Sequence, residues 1–412
     1  MGLVTKPDRC GRVPASLRIH GAAMRLVHTS DWHLGRTLHG ESLLEHQAAF
    51  LEWLLGQAVS HQAEAVIVAG DIYDRAVPCT DAVALLDRAL RDFAAAHIPV
   101  VITSGNHDSP VRLGFGARLS ALAGIHLRTS VADITRPVVL GDADGDVAIY
   151  GIPYLLPDAV MAELGAERSH ASVLAAAVAR IRADAASRGI GRIVVVAHAF
   201  ITGALPSDSE RDIRVGGIGD APASVFAGVH YAALGHLHGQ QNIPAGGAGP
   251  AIRYSGSPLA FSFSERSQAK SVTLAEIGAA GQVTMTQLAT PVPRPLREVR
   301  GKIDDLLARA DGDLADLAGA WVKVVLTDTV RPASPMERLR EKYPFTLVLD
   351  FDPEGGLMSA EADLARLAAE VADPAAICGL FVEFTSGGSP DEVQRAVLRS
   401  AVEACQHAET AA

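Results

Sequence analysis

Short runs of apolar residues alternate with longer amphipathic stretches through the first 290 residues of the chain. The short runs consist mostly of Val, Ile, Leu and Ala, which is typical of buried β-strands. The longer stretches repeat apolar residues at helical spacing and predict helices at 41–62, 80–97 and 169–189. Because strands and helices alternate, the pattern predicts an α/β fold with covered sheets. The predicted strands are 25–29, 65–69, 98–103, 147–152, 192–197 and 229–234.

The helical spacing also predicts which side of the first two helices is buried. In each helix a set of apolar residues falls on one side, and we expect that side to face a sheet. The predicted buried residues are Leu44, Ala48, Leu51, Leu55 and Val59 in the first helix, and Val83, Leu86, Leu90 and Phe93 in the second.

The pattern changes after residue 250, where strands at 251–256, 271–277 and 283–289 follow one another directly. Residues 291–295 read PVPRP, and proline at alternate positions forms a stiff, extended linker. This linker is the predicted domain boundary. A small α+β module is predicted beyond it, with a strand at 296–301, a helix at 302–310, a strand at 321–327, a helix at 334–342 and a strand at 345–351.

Two helical patterns, at 359–371 and 389–407, predict a helical C-terminal segment. Ser389 is the predicted N-cap of the second helix, with Pro390 at the first helical position. One side of this helix is apolar and suits either a partner or packing within the chain. Its apolar residues are Val393, Val397, Ala401 and Ala404.

Composition and charge limit the classes of function. The net charge is −11, and residues 343–412 hold 12 acidic residues against 3 basic ones, so this tail is not expected to grip phosphates unaided. No apolar run approaches the ~20 residues of a membrane span, which excludes an integral membrane protein. Four scattered cysteines without a CxxC pair argue against a zinc knuckle or a dithiol site and favour the cytoplasm.

Five polar motifs stand where predicted strands end. Side chains just beyond the carboxyl edge of a buried sheet converge in one crevice, so residues that are far apart in the sequence are expected to meet there. The motifs are Asp31-Trp32-His33, Gly70-Asp71-Ile72-Tyr73-Asp74, Gly105-Asn106-His107-Asp108, His198 and Gly235-His236-Leu237-His238.

The residue types in these motifs predict a metal centre. Carboxylate, amide oxygen and imidazole nitrogen without any thiolate suit Mn²⁺, Fe²⁺ or Zn²⁺. Seven candidate ligands are too many for one ion, whereas two ions that share a carboxylate would use them all. The predicted ligands are Asp31, His33 and His238 for one ion, Asn106, His198 and His236 for the other, and Asp71 as the bridge.

His107 stands between a predicted ligand and an acid, so it is expected to face substrate while Asp108 fixes its tautomer. A purely structural His107 is the alternative. Asp74 is expected to be structural, for example as a helix cap. Each motif alone also has a structural explanation, because GDxxD is often only a turn before a helix. The ordered set of five is what favours the metal centre.

This ordered set resembles the calcineurin-like metallophosphoesterase superfamily, and longer runs are similar to its SbcD family of bacterial nuclease subunits. Together these runs span most of 24–350, and residues 1–23 precede the family's usual start. The runs are MRLVHTSDWHLGRTLHG (24–40), VIVAGDIYDRAVP (66–78), VVITSGNHDSP (100–110), ALGHLHGQQ (233–241), YSGSPLAFSFSE (254–265), TPVPRPLREVRG (290–301) and VLTDTVRPASPMERLREKYP (325–344).

The resemblance implies a four-layer fold, in which two packed β-sheets lie between helices, with two divalent metal ions at one edge. The ions would be Mn²⁺ first of all, with Fe²⁺, Zn²⁺ or Mg²⁺ as alternatives. It implies DNA hydrolysis, as a 3′–5′ exonuclease on duplex ends and an endonuclease on single strands and hairpins, in repair, recombination and replication. His107 would stabilise or protonate the departing 3′ oxygen, oriented by Asp108.

The linker and the resemblance together predict four segments. Residues 1–23 would be a disordered extension or the result of a start codon assigned too early, and 24–290 would be the metallophosphoesterase domain. Residues 291–352 would form a cap that positions duplex DNA, and 353–412 would dock on the coiled-coil base of the ATPase SbcC. The early helices would join two copies into a homodimer within a heterotetramer.

Two other functions stay open at the level of sequence. A phosphomonoesterase or cyclic-nucleotide phosphodiesterase of the same superfamily would share the metal site, although it would need neither the module at 296–350 nor the last helix. A non-catalytic subunit that only bridges DNA and the ATPase would be free to lose ligands. All seven predicted ligands are present in this chain.

Overall fold

The computed structural model describes residues 23–210, 220–246, 249–292, 294–353, 374–386 and 389–410. Residues 1–22 and the helix predicted at 359–371 lie outside these described residues. The structure divides into two compact units, Met1–Pro293 and Arg294–Ala412. Within the described ranges, no helix has both the length and the apolar character that crossing a membrane requires.

The strands and helices of the first unit follow the predicted order. Each of the six early strands and three long helices forms where the apolar pattern placed it, within a few residues at its ends. The elements are β1 (Met24–Thr29), β2 (Thr37–Leu38), β3 (Glu41–Ser42), α1 (Leu44–Ser60), β4 (Ala65–Ala69), α2 (Thr80–Ala95), β5 (Val100–Thr103), α3 (Pro110–Leu113), α4 (Ala117–Ser120), β6 (Ile125–Arg128), β7 (Val138–Asp142), β8 (Gly145–Ile152), α5 (Pro157–Leu164), α6 (His170–Arg188), β9 (Arg192–His198), β10 (Tyr231–Gly235), β11 (Gln241–Ile243), β12 (Ala251–Tyr254), β13 (Ser271–Ile277) and β14 (Val283–Ala289).

Two six-stranded sheets form the centre of this unit. The first sheet has the order β14-β13-β1-β4-β5-β6, in which β1, β4, β5 and β6 run parallel. The second has the order β11-β12-β10-β9-β8-β7, in which β12, β10, β9 and β8 run parallel. In each sheet the four parallel strands are neighbours, so their carboxyl ends share one edge of the sheet.

Three hydrophobic clusters establish the layer order. One cluster lies between the sheets and takes residues from both, for example Leu26 of β1 and Val194 of β9. A second joins the first sheet to α1 and α2, and includes Val27 and Phe50. A third joins the second sheet to α6. The order is thus helices, sheet, sheet, helices, and the predicted four-layer α/β fold is confirmed.

Alternate residues of one strand belong to different clusters. Leu26 packs between the sheets, whereas its neighbour Val27 packs against the helices. Val194 and Val195 of β9 divide in the same way. Both faces of these strands are buried, which explains why the sequence shows unbroken apolar runs instead of alternation.

The predicted buried sides of α1 and α2 are wrong in part. Val59 of α1 is 55% exposed and Val83 of α2 is 44% exposed. The residues buried instead are Gln47, Phe50, Leu51, Leu54 and Ala58 in α1, and Ala82, Leu85, Leu86, Ala89 and Phe93 in α2. Both helices carry apolar residues on more than one side, so helical spacing alone does not select the side that the sheet covers.

The second unit begins with a three-stranded parallel sheet of order β15-β16-β17. Its core contains Ile303, Val324, Leu339 and Tyr343, so helices cover the sheet. The elements are β15 (Leu296–Gly301), α7 (Ile303–Ala308), β16 (Trp321–Leu326), α8 (Pro335–Lys342), β17 (Thr346–Phe351), α9 (Pro374–Ser386) and α10 (Glu392–Thr410).

Helix α10 begins later than the sequence predicts. Asp391 is its N-cap, and its carboxylate accepts a hydrogen bond from the N–H of Gln394 at 2.8 Å. The Gln394 side chain accepts from the N–H of Asp391 at 2.9 Å, which completes a reciprocal capping box. The prediction of Ser389 as N-cap is therefore wrong by two residues, because the Asp–Gln pair satisfies two free N–H groups at once.

A buried histidine links the two sheets. Nδ1 of His28 on β1 lies 2.8 Å from the Tyr231 hydroxyl on β10, and Nε2 lies 3.2 Å from the carbonyl oxygen of Leu234. Burial, aided by the Arg253 charge, lowers the pKa of His28 to about 3. The folded protein therefore keeps this imidazole neutral at pH values where an unfolded chain protonates it.

We expect this histidine to make the fold sensitive to acid. The unfolded state binds a proton below pH ~6.5 and the folded state does not, so stability falls as pH drops below that value. From pH 7 to pH 5 the loss through His28 is about 2 kcal/mol. The measurement is urea unfolding of the EDTA-treated protein at both pH values. Between them the free energy of unfolding of His28→Gln should fall by about 2 kcal/mol less than that of the unsubstituted protein. Equal losses in the variant and the unsubstituted protein would contradict the assignment.

Candidate metal centre

The predicted site residues follow the carboxyl ends of neighbouring parallel strands in both sheets. Asp31 follows β1, Asp71 follows β4 and Asn106 follows β5, all in the first sheet. His198 ends β9 and His236 follows β10, in the second sheet. Because the two sheets are packed face to face, these ends meet at one edge of the sandwich.

The first predicted set of three ligands is assembled. One ligand atom each from Asp31, His33 and His238 lies within 4.8 Å of the other two, and all three side chains are buried. Nε2 of His33 and Nε2 of His238 are 3.2 Å apart. The two ring nitrogens thus point at the same small volume.

The second predicted set lies beside the first. Oδ1 of Asn106 is 2.8 Å from Nε2 of His198 and 3.3 Å from Nδ1 of His236. Ligand atoms of Asp31, Asp71 and His198 also lie within 4.8 Å of one another. The structure therefore brings all seven predicted ligands together.

Asp71 lies between the two sets. Its Oδ2 atom is 3.6 Å from Nε2 of His33 and 3.5 Å from Nε2 of His198. Its other oxygen accepts a hydrogen bond from the N–H of His107 at 2.9 Å, which fixes the carboxylate. One carboxylate oxygen therefore faces both sets at once, as the predicted bridge requires.

The polarity of the hydrogen bonds fits a bound cation. Nδ1 of His198 lies 3.0 Å from the carbonyl oxygen of Ala69, and a carbonyl can only accept, so Nδ1 carries the proton. Nε2 of His198 is then a bare lone pair, and it faces the Asn106 amide oxygen, which is also an acceptor. Two acceptors in such proximity repel each other unless a cation lies between them.

The burial of the charged groups also favours a bound cation at this site. Burial and the neighbouring Asp71 carboxylate raise the pKa of Asp31 well above its ordinary value. Burial and neighbouring histidines lower the pKa of His33 and of His236 well below the usual range, so both imidazoles stay neutral. Neutral imidazoles offer lone pairs and buried carboxylates require compensating positive charge, so the donor set fits divalent metal ions.

Four predicted ligands have strained backbones. Asp31, His33, Asp71 and His236 have positive φ angles of 53°, 44°, 49° and 107°. Left-handed φ costs a non-glycine residue about 1–3 kcal/mol and persists where the surroundings enforce it, often at active sites. Backbone hydrogen bonds between the loops enforce it here, since His33 N–H donates to the Asp71 carbonyl at 2.9 Å.

Comparison with known proteins identifies the family. The model of the calcineurin-like phosphoesterase family matches residues 24–240, and that of the type 5 capsule protein repressor C-terminal domain matches 292–376. The SbcD subunit of the nuclease SbcCD from Staphylococcus saprophyticus is 30% identical over 336 residues, which cover 79% of this chain and 84% of that protein. The chain belongs to the SbcD family of calcineurin-like phosphoesterases.

A second relative agrees with this assignment. The SbcD subunit of the nuclease SbcCD from Escherichia coli K12 is 31% identical over 315 residues, covering 74% of this chain and 78% of that protein. The resemblance found in the motifs is thereby confirmed. As a calcineurin-like phosphoesterase, the chain is a metal-dependent hydrolase of phosphate esters, which agrees with the clusters of Asp and His ligands.

The contacts of Asp108 in this phosphoesterase differ from the predicted ones. Its carboxylate accepts hydrogen bonds from three backbone N–H groups, those of Ile72, Tyr73 and Gly105, at 2.9–3.1 Å. Among the described contacts it makes none with the His107 ring, so the predicted orienting contact is wrong. Asp108 instead ties the GDIYD loop to the GNHD loop. Burial, with the Asp71 charge, raises the pKa of Asp108 to about 7.

Asp74 supplies the contact that the sequence assigned to Asp108. Nδ1 of His107 lies 2.8 Å from the backbone carbonyl oxygen of Asp74. The Asp74 side chain is no helix cap, as its carboxylate lies 3.5 Å from Nδ1 of His33 and 3.7 Å from Nη1 of Arg36. A backbone carbonyl carries no side-chain signature, so the motif could not reveal this partner of His107.

Proposed function

We propose that the chain is a DNA nuclease that hydrolyses phosphodiesters with two divalent metal ions, for which Mn²⁺ is the first candidate. The observation that carries the proposal is the convergence of seven oxygen and nitrogen ligands around one shared carboxylate. The choice of DNA as substrate is supported by relatives that are named nucleases. Mn²⁺ suits this donor set, as do Fe²⁺ and Zn²⁺, and Mg²⁺ is a further candidate.

Each side chain has a defined task in this proposal. When bound, the two ions would neutralise charge on the scissile phosphate and lower the pKa of water. Asp71 faces both sets of ligands and keeps them in register. The ligands would be Asp31, His33 and His238 for one ion, Asn106, His198 and His236 for the other, and Asp71 for both.

His107 would stabilise or protonate the departing 3′ oxygen, and the proton it gives would come from its Nε2 atom. Because Nδ1 of His107 faces the Asp74 carbonyl oxygen, Nδ1 carries a proton and donates it there. Nε2 is then the atom left to act on substrate, and it lies 4.0 Å from Oδ2 of Asp71, beside the ligand sets. Asp108 acts indirectly, because it holds together the two loops that carry Asp71 and His107.

The proposed substrates are duplex ends, cut by a 3′–5′ exonuclease activity, and single strands and hairpins, cut by an endonuclease activity. Such activities belong to DNA repair, recombination and replication. The unit that holds β15–β17 would act as the cap that positions duplex DNA. A small-phosphoester enzyme would not need this unit.

A homodimer through the early helical region is part of the proposal. The segment that contains α3 and α4 exposes Val111 by 85%, Phe115 by 88%, Leu119 by 74% and Leu122 by 79%. Four large apolar side chains so exposed within twelve residues form a patch that water solvates poorly. A second copy of the chain would cover this patch.

The ATPase SbcC is the proposed partner of the C-terminal segment, within a heterotetramer of two copies of each chain. Val393 and Val397 of α10 are 73% and 63% exposed, so the predicted apolar side of this helix is uncovered in the isolated chain. A coiled-coil surface with apolar side chains would bury it. SbcC would also supply the ATP-binding site, as this chain has no GxxxxGK[ST] loop.

Cleavage of end-labelled linear duplex DNA by the purified chain tests the proposal. We expect products with Mn²⁺, none with EDTA and none from Asp71→Asn in either condition. Hydrolysis of bis-p-nitrophenyl phosphate or a 2′,3′-cyclic nucleotide without DNA cleavage, also after addition of SbcC, would favour the small-substrate enzyme. A chain that binds DNA and SbcC but hydrolyses neither substrate would be the non-catalytic bridging subunit.

A further inference from the structure

A chain of one half-buried and two buried polar side chains lies behind His238, on the side of its Nδ1 atom. It consists of Ser209, Glu265 and Lys270. Glu265 is 1% exposed and Lys270 is 6% exposed, so neither charge is solvated. Buried charges are retained in proteins where they are paired and hydrogen-bonded, and the pattern of their partners indicates what they do.

The contacts form a continuous line from the imidazole to the ammonium group. Nδ1 of His238 lies 2.5 Å from Oγ of Ser209, which in turn is hydrogen-bonded to Oε1 of Glu265. The other oxygen of Glu265 forms an ion pair with Nζ of Lys270. Lys270 also donates to the backbone carbonyl of His238 at 2.9 Å, which closes a ring around the histidine.

The direction of each hydrogen bond in this chain follows from which groups can donate a proton and which can only accept one. The four atoms around Nζ of Lys270 are all oxygen acceptors, from Glu265, His238, Ser257 and Gln268, so Lys270 stays an ammonium group. The Glu265 carboxylate only accepts, so the Ser209 hydroxyl must donate its one proton to it. Oγ of Ser209 is then left to accept from Nδ1 of His238. The histidine is thereby held as the Nδ1–H tautomer, with the Nε2 lone pair facing His33.

The Ser207–Glu210 segment holds His238 at a second point. The backbone N–H of His238 donates to Oε1 of Glu210 at 2.7 Å. Nη2 of Arg36, in the loop after His33, donates to the backbone carbonyl of Ser209 at 3.1 Å. Ser209 is therefore placed by contacts from two loops of the site as well as by Glu265.

We propose that Ser209, Glu265 and Lys270 are positioning residues, which fix the tautomer and orientation of His238 and thereby tune the affinity of one of the two metal ions. The inference rests on the proposed two-metal site. None of the three was singled out by the sequence motifs. They would act through His238, without contacting substrate, and their effect would be confined to the ion that Asp31, His33 and His238 hold.

Titration of metal-stripped protein with Mn²⁺, followed by electron paramagnetic resonance, tests the proposal. Ser209→Ala removes one hydroxyl, and we expect it to weaken one of the two Mn²⁺ sites about tenfold, as is usual when a hydrogen-bond partner of a metal ligand is lost. Ser209→Thr keeps the hydroxyl and should restore affinity. Glu265→Gln should weaken the same site. The matched control is Ser264→Ala, a serine in the turn beside Glu265 whose hydroxyl bonds only Ser262 among the described contacts.

The outcomes separate this inference from the proposed function. If the unsubstituted protein binds two Mn²⁺ ions and Ser209→Ala binds both with unchanged affinity, the positioning role is overturned while the metal centre stands. An equal loss in Ser264→Ala would overturn it as well. If the unsubstituted protein binds fewer than two ions, the proposed two-metal centre itself fails. Excess Mn²⁺ should restore the DNA cleavage rate of Ser209→Ala with KM for DNA unchanged.

Discussion

Replacing Asp71 by Asn is expected to abolish Mn²⁺ retention and nuclease activity together. One oxygen of Asp71 lies 3.5–3.6 Å from a histidine nitrogen of each candidate ligand set, so in the proposed two-metal site both ions would lose their shared negative ligand. Among the described residues, Asp31 would then supply the one carboxylate in each of the two clusters that it joins, with His33 and His238 and with His198. Affinity should therefore fall by more than the ~100-fold that loss of an outer hydrogen-bond partner costs.

Replacing His107 by Gln should separate binding from turnover. The Gln amide can still donate to the Asp74 carbonyl oxygen, so the loop stays in place, but it cannot exchange a proton with a leaving group. We expect metal content equal to that of the unsubstituted protein and a kcat lower by about 10²- to 10⁴-fold. Metal analysis of the two dialysed variants beside single-turnover cleavage checks the contrast. Matching metal contents in Asp71→Asn and His107→Gln would contradict these roles.

The convergence of the candidate ligands could be predicted because the order of parallel strands brings them to one edge. Asp31, Asp71 and Asn106 each follow a parallel strand of the first sheet, and such strands place their carboxyl ends along one edge. An apolar run followed by Asp, Asn or His is visible in the sequence without any knowledge of side-chain packing. The fold was predictable for the same reason, since strands buried on both faces read as unbroken apolar runs.

The remaining features depend on contacts that no local pattern encodes. Asp108 follows His107 in sequence, yet its carboxylate accepts hydrogen bonds from three backbone N–H groups and makes none with the His107 ring among the described contacts. Ser209 and Glu265 lie 29 and 27 residues from His238, the first in a loop and the second at the end of a one-turn 3₁₀ helix, and neither segment is long enough to show apolar periodicity. The sides of α1 and α2 were mispredicted because both helices are apolar on more than one side.

Gly105 to Ala is expected to damage the site by displacing Asp71 with a single methyl group. A Cβ at this position would lie 2.0 Å from Oδ1 and 2.4 Å from the backbone N of Asp71, so the Asp71 carboxylate has to move. Overpacking of this kind costs about 1–3 kcal/mol, which leaves the four-layer fold intact. The loss should therefore appear mainly as lost Mn²⁺ and lost cleavage, with a modest fall in Tm.

Gly191→Ala provides the matched control, because a Cβ there meets nothing within 4 Å. We expect it to retain the Tm, metal content and cleavage rate of the unsubstituted protein. Thermal unfolding and metal analysis of both variants separate a displaced Asp71 from a general loss of stability. Gly105→Ala with two bound ions and an undiminished rate would mean that Asp71 tolerates displacement, and the shared-carboxylate role would then be wrong. The Gly105→Ala substitution thus tests the position of the Asp71 carboxylate without changing any candidate ligand residue.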